Sequence, residues 1–456
     1  MVDGSPRIRF RDVFAVAEYR WLWLAQILSV AGDQLARVAL TVLVYERTRS
    51  PVLTAVTYAA TYVPWLIGSV TLSGLADRLP RRAVMVTCDV ARAALVVAMA
   101  LPGMPLWAMV VLLFAVTLLD VPFKSARAAM IADVLHGDHY VLGTAVTQVT
   151  IQTGTVSGFA IGGVVVGFLG PRTALLADAV TFVISALMVR YGVHARPAAA
   201  AAPPDAGMAA AAAPQNPGSA AAAATANPDP GSTADGEHAA SAARTRLADM
   251  AEGADLVFRN GRLRALMLLG WLAAFYTVAE PLAVPYTARL HGGPVAAGLV
   301  FAAGPFGTVL GSIAFTRMME PERRLRWMGP MAVGCCGVLL ICLLRPGVAV
   351  SIVIFAVSGA MAAYQIAANA AFVAAVPNRH RGKAFGLANG GMQVGQGIVY
   401  VLAGAAATAI TPAAVIATAG AIGAIAACLL ALNWYRHASP EVAYLSAPSP
   451  TQRGQG

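Results

Sequence analysis

The stretch "GLADRLPRR", residues 74–82, crowds Asp77, Arg78, Arg81 and Arg82 between two apolar runs, in a chain of 456 residues of which only 12% are charged. What such a cluster means depends on its surroundings, and composition sets these. Hydrophobic residues make up 58% of the chain and the mean hydropathy is +0.67, far outside the range of soluble domains. The chain is built for a bilayer, and the cluster marks a short polar turn between two membrane-crossing helices.

A hydrocarbon core about 30 Å thick takes about 20 predominantly apolar residues of helix. Outward from the cluster in both directions, apolar runs centre on residues 20–44, 52–75, 83–102, 106–127, 141–168, 173–192, 263–287, 294–316, 326–344, 348–376, 384–408 and 412–434. These predict an all-α membrane protein of twelve transmembrane helices. Several runs contain Gly or Pro, which packed membrane helices tolerate. A β-barrel is disfavoured, because its strands alternate apolar and polar residues where these runs are continuous. The first run is too long for a signal-peptide core and reads as a retained first span.

The formal charge of +10 raises the question of nucleic acid, which the distribution of charge answers. With the N-terminus cytoplasmic, the outer loops hold Arg47, Arg49, Arg172, Arg289 and Arg345; Arg37 and Arg92 lie within spans; every other basic residue falls on the inner side. The excess is a topology signal placing both termini in the cytoplasm, and no aromatic-interleaved basic patch argues for nucleic acid. Cys88, Cys335, Cys336, Cys342 and Cys428 all fall in apolar runs, without metal-ligand spacing or a disulfide framework.

Between the sixth and seventh runs the chain turns to Ala, Pro, Gly, Ser, Asn and Asp with hardly a bulky side chain, a composition that predicts a disordered cytoplasmic linker over 193–243. Apolar residues then return at helical spacing among arginines, predicting an interfacial amphipathic helix over 244–262. The remaining divisions are a cytoplasmic N-terminus (1–19), an N-terminal six-helix bundle (20–192), a C-terminal six-helix bundle (263–435) and a cytoplasmic tail (436–456). The two bundles are expected to be pseudo-symmetric. At one common offset Gly68 falls on Gly311, Ser69 on Ser312, Asp77 on Glu320 and Arg81 on Arg324, the pattern of a duplicated six-helix unit.

"GLADRLPRR" resembles the signature between spans two and three of the major facilitator superfamily, with Pro80 where that family usually has Gly, and the resemblance extends over the whole chain. "GDQLARVAL" (32–40), "CDVAR" (88–92), "ALLADAVTFVISAL" (174–187) and "VPNRHRGKAFGLANGG" (376–391) resemble the branch of bacterial drug:proton antiporters that includes multidrug, macrolide and siderophore exporters. "GTVSGFAIGGVVVG" (154–167) matches the antiporter signature of span five only in part, with Phe159 where Pro is usual. The resemblance implies a conformational-switch motif of Gly74, Asp77, Arg78, Arg81 and Arg82. In it Asp77 latches onto the start of span eleven near Arg381, Lys383 and Gly386 when the cytoplasmic side closes. The arginines also hold the turn in the anionic headgroup layer.

Ionisable groups at membrane depth cost about 2.5–3.5 kcal/mol on insertion scales and are functional candidates by default. Asp33 and Arg37 share a face of span one at i, i+4, and Asp89 and Arg92 share a face of span three at i, i+3. Asp33 is read as the leading proton-coupling carboxylate with Arg37 as its tuning partner, and Glu280, beside Pro281, and Asp120 follow. Burial and a neighbouring guanidinium act on a carboxyl in opposite directions, and opposed effects that change with access to water are what a proton carrier requires. Asp89 and Arg92 read as a gate ion pair, and Asp178, close to Arg172, as a structural cap. Gln148, Gln152, Tyr364, Gln365, Asn369, Gln393 and Gln396 are the substrate-cavity candidates. The absence of a Walker A motif argues against ATP drive, and no His/Cys cluster calls for a metal. The expectation is a monomeric, cofactor-free inner-membrane transporter, not an enzyme, exporting a small amphipathic or hydrophobic compound in exchange for protons. Its rivals are a proton-coupled nutrient importer and a non-transporting sensor or assembly partner.

Overall fold

The structure is a computed structural model that describes residues 10–62, 64, 68, 79–196, 257–377 and 380–445. Most of the predicted linker and interfacial helix, and Gly74, Asp77 and Arg78 of the switch motif, lie outside the described residues. Among those described the chain is helical throughout, and eleven helices are long and apolar enough to cross a membrane. Numbered by the predicted runs, they are span one (Ala17–Thr48), three (Arg81–Ala100), four (Leu106–Val134), five (Asp138–Leu169) and six (Pro171–Gly192). The later ones are seven (Gly261–Arg289), eight (Pro294–Met318), nine (Arg323–Leu344), ten (Val348–Ala375), eleven (Lys383–Ala409) and twelve (Pro412–Arg436). Span two is described only at its start, the helix Pro51–Ala59.

Local chemistry sets the helix ends. Ser50 accepts the Leu53 N–H ahead of Pro51, and Asn260 accepts the N–H groups of Arg262 and Leu263 ahead of span seven. Spans five and six turn through Gly170, whose φ of 83° suits a residue without Cβ, directly before Pro171. Span seven is interrupted around Thr277 and restarts at Ala279, so Glu280 stands in the first turn of a new helical segment.

Packing divides the chain into two units: Met1–Pro230 with Pro281–Ala302, and Gly231–Glu280 with Ala303–Gly456. Within the first unit Phe301 stacks on Phe159 and Tyr58 at 5.1 and 5.8 Å, and a Cβ on Gly163 would stand 2.7 Å from the Gly298 Cα.

In the first unit, spans one and five meet where a Cβ on Gly158 would stand 2.7 Å from the Ala31 carbonyl oxygen. Glycine there lets the two backbones approach closely. Tyr19, Leu22, Met85, Phe123 and Met130 fill the core beneath, and Tyr19 donates its O–H to the Gly143 carbonyl at 2.9 Å. The second unit packs Leu266, Cys335, Tyr364 and Trp434 together, with Tyr364 donating to the Leu269 carbonyl at 2.8 Å. Trp107, Phe168, Leu344 and Ile425 are exposed, an outward apolar surface that suits lipid and not water.

Candidate functional site

A cavity of about 150 Å³ opens inside the first unit. Spans one, three, four and six bring charge to it because Asp33, Arg92, Asp120 and Asp178 each occur in an otherwise apolar helix that faces the same interior. Arg92 is the hub, with its side chain only 2% exposed. Its Nη2 donates to Asp33 Oδ1 at 2.6 Å, and its Nη1 stands 3.6 Å from Asp120 Oδ1 and 3.8 Å from Asp89 Oδ1. Its guanidinium carbon lies 4.1 Å from the Phe182 ring centre, a desolvated cation–π contact. One guanidinium thus serves three carboxylates, and only the bond to Asp33 is at hydrogen-bond length.

The other carboxylates have further partners. Ser185 donates its O–H to Asp89 Oδ2 at 2.6 Å, and Lys124 Nζ lies 2.6 Å from Asp120 Oδ2 one helical turn away. The Asp33 side chain is 24% exposed and Asp120 14%, whereas Asp89 is fully buried. Two of the three carboxylates therefore face the cavity. The ion pair at Asp33 is with Arg92, a partner the sequence did not point to; Arg37, expected to tune Asp33, also lines the cavity, with its guanidinium 5.9 Å from the Tyr58 ring centre.

Three cavity residues were read otherwise in the sequence. Asp178, read as a cap, is 1% exposed and lines the cavity; Thr181 of its own helix donates to its Oδ1 at 3.3 Å. Lys124 and Arg127, assigned to the inner-face charge, lie within span four, which runs on to Val134. Thr117, Asp120, Lys124 and Arg127 all line the cavity, and their spacing of three and four residues is the signal that would have found them.

The remaining candidates do not join this site. Gln148 is exposed and Gln152 half-buried, and neither borders the cavity. In the second unit Gln365 donates to the Tyr276 hydroxyl at 2.7 Å, Gln396 is buried, Gln393 half-buried and Asn369 exposed. Glu280 accepts from the Tyr400 hydroxyl at 3.4 Å, and that hydroxyl also reaches Thr277 Oγ1 at 2.8 Å. Of the switch motif, Arg81 is ion-paired with Asp133 and Arg82 donates to the Val193 carbonyl at 3.0 Å. Both arginines tie the start of span three to the ends of spans four and six.

Membrane-crossing helices around a buried, charge-lined cavity define a multi-pass integral membrane transporter. The chain matches the family model of the Major Facilitator Superfamily over residues 22–344 and 266–453, and it belongs to that superfamily. It is 25% identical over 184 residues to the uncharacterized MFS-type transporter YkuC of Bacillus subtilis (strain 168), a match covering 39% of this chain and 42% of that protein. Among solved structures it resembles a mutant of the nucleoside transporter NupG (13% identity, TM-score 0.67, 92% of this chain and 99% of that one). It also resembles a POT family transporter in complex with 5-aminolevulinic acid (12%, 0.65, 93% and 96%) and a bacterial homologue of the iron transporter ferroportin (12%, 0.61, 95% and 100%). At these identities the likeness is one of fold.

Proposed function

We propose that this transporter exports a small amphipathic or hydrophobic compound in exchange for protons, with Asp33 as the carboxylate that carries the proton. The observation behind this reading is the shared guanidinium: Asp33 is partly open to the cavity and holds Arg92 at 2.6 Å, while Asp120 and Asp89 wait at 3.6 and 3.8 Å. When Asp33 takes a proton, Arg92 keeps two carboxylates within reach, so the loss of one ion pair does not strand a buried cation. A cluster that gains and loses one proton without losing its centre is what a proton carrier needs. Glu280, bonded to Tyr400 in the second unit, is the reserve candidate. The basic excess on the inner loops supports cytoplasmic termini.

The test is transport in proteoliposomes with an imposed pH gradient, screened with dyes, antibiotics and siderophores. Asp33→Asn is expected to abolish gradient-driven transport of whichever compound the wild type moves, while gradient-free exchange of that compound stays measurable. Wild-type gradient-driven transport in Asp33→Asn would transfer the role to Glu280 or Asp120.

A further inference from the structure

Most charge in the cavity is internally accounted for: Arg92 holds Asp33 and Asp89, and Lys124 holds Asp120. Apart from Arg37, which has its own contacts, two charged groups are left over, and they have opposite signs. Arg127 is 7% exposed, lines the cavity and lies 5.8 Å from the Phe123 ring centre, with no carboxylate in ion-pair contact among the described residues. Asp178 is 1% exposed, lines the same cavity and has only the Thr181 hydroxyl of its own helix, with no basic group in ion-pair contact among the described residues. Buried charges are ordinarily paired, because an isolated one is expensive to desolvate. These two do not pair with each other, and a single ion would satisfy only one of them.

The two also stand at different depths. Asp178 is about two turns into span six from Pro171, and Arg127 about two turns short of the end of span four at Val134. Much of the remaining wall is apolar, including Leu40, Val96, Met99, Leu113 and Val116. We propose that Arg127 and Asp178 form a substrate subsite for an amphoteric molecule, with a carboxylate received by Arg127, a protonated amine received by Asp178 and an apolar body along the wall. A guanidinium and a carboxylate form strong, directional hydrogen bonds, so Arg127 sets orientation. An amine on Asp178 and a proton are alternative cations for the acidic side of the cavity, which fits exchange for protons. The subsite rests on the export reading for this last point alone.

The test compares equilibrium binding of 8-aminooctanoate, octylamine and octanoate to the purified full chain in lipid nanodiscs, without any gradient. 8-Aminooctanoate is expected to bind at least about ten-fold more tightly than either singly charged probe, a difference equivalent to about 1.4 kcal/mol. Arg127→Gln should bring it level with octylamine, Asp178→Asn level with octanoate, and Arg127→Lys should keep most of the preference. Acetylating the amine of the probe tests the same point on the wild type, independent of any variant's folding. Equal binding of all three probes by the wild type, no binding of 8-aminooctanoate, no loss on acetylation, or an unchanged preference in a folded Arg127→Gln would each overturn the subsite. Proton coupling is read separately in Asp33→Asn: a retained probe preference with wild-type gradient-driven transport in that variant sinks only the Asp33 reading. Absent preference with coupling lost on Asp33→Asn sinks only the subsite.

Discussion

Ser185 carries a consequence beyond its size. It is fully buried and donates to Asp89 Oδ2, while the other oxygen, Asp89 Oδ1, has no hydrogen-bond partner. Removing the hydroxyl would leave both oxygens of a buried carboxylate without a donor, and an unsatisfied buried group costs about 1–3 kcal/mol, more when charged. Ser185→Ala is therefore expected to lower the melting temperature in detergent, whereas Ser157→Ala, at a more exposed hydroxyl bonded only within its own helix, should not. An unchanged melting temperature in Ser185→Ala would remove Ser185 from the cluster's support. At this scale the sequence was legible in part. Asp33, Asp89, Arg92 and Asp120 stand out as charges in apolar helices, but which of them touch depends on the rotation of four helices, and spacing within one helix is silent on that. Hence the ion pair of Asp33 with Arg92, across two helices, was not readable, and Asp178, one turn and a half from Arg172 in sequence, lines the cavity.

Among the helices, the contact between spans one and five depends on a missing side chain. A Cβ on Gly158 would stand 2.7 Å from the Ala31 oxygen and 2.9 Å from its Cα, and backbone cannot swing away as a side-chain tip can. Gly158→Ala should thus destabilise the first unit by about 1–3 kcal/mol, the usual cost of overpacking. Gly395→Ala in span eleven meets nothing within 4 Å and should be neutral or stabilising by up to about 1 kcal/mol through helix propensity. Thermal unfolding of the two variants side by side checks the pair; equal melting temperatures would mean that spans one and five have room to separate. The helices themselves were readable because a span needs a long apolar run: the predicted run 173–192 meets a helix at Pro171–Gly192, and 294–316 one at Pro294–Met318. Span four shows where this fails. Hydropathy falls at Lys124 and Arg127, yet the helix continues to Val134 because those charges are turned into a cavity and Lys124 is held by Asp120. The break in span seven at Thr277 was also hidden, since the prolines of that run, Pro281 and Pro285, come four and eight residues later.

For the molecule as a whole, residues 200–240 offer a single bulky apolar side chain, Met208, too little for building a core. Their deletion is expected to leave membrane levels and transport nearly unchanged, measured as uptake per unit of protein in vesicles; lost activity at normal levels would give that segment a partner or regulatory role. Arg92, set among three carboxylates, carries its consequence into heredity. A lineage cannot alter one charge of such a cluster at leisure, because losing the arginine leaves three acids facing one another, and losing Asp120 leaves Lys124 without its carboxylate. Change must come in compensating pairs. A selection for revertants of Asp120→Asn should therefore return second-site losses of charge at Lys124, its partner at 2.6 Å, ahead of any other position. Descendants of this chain should be expected to keep or discard those two residues together.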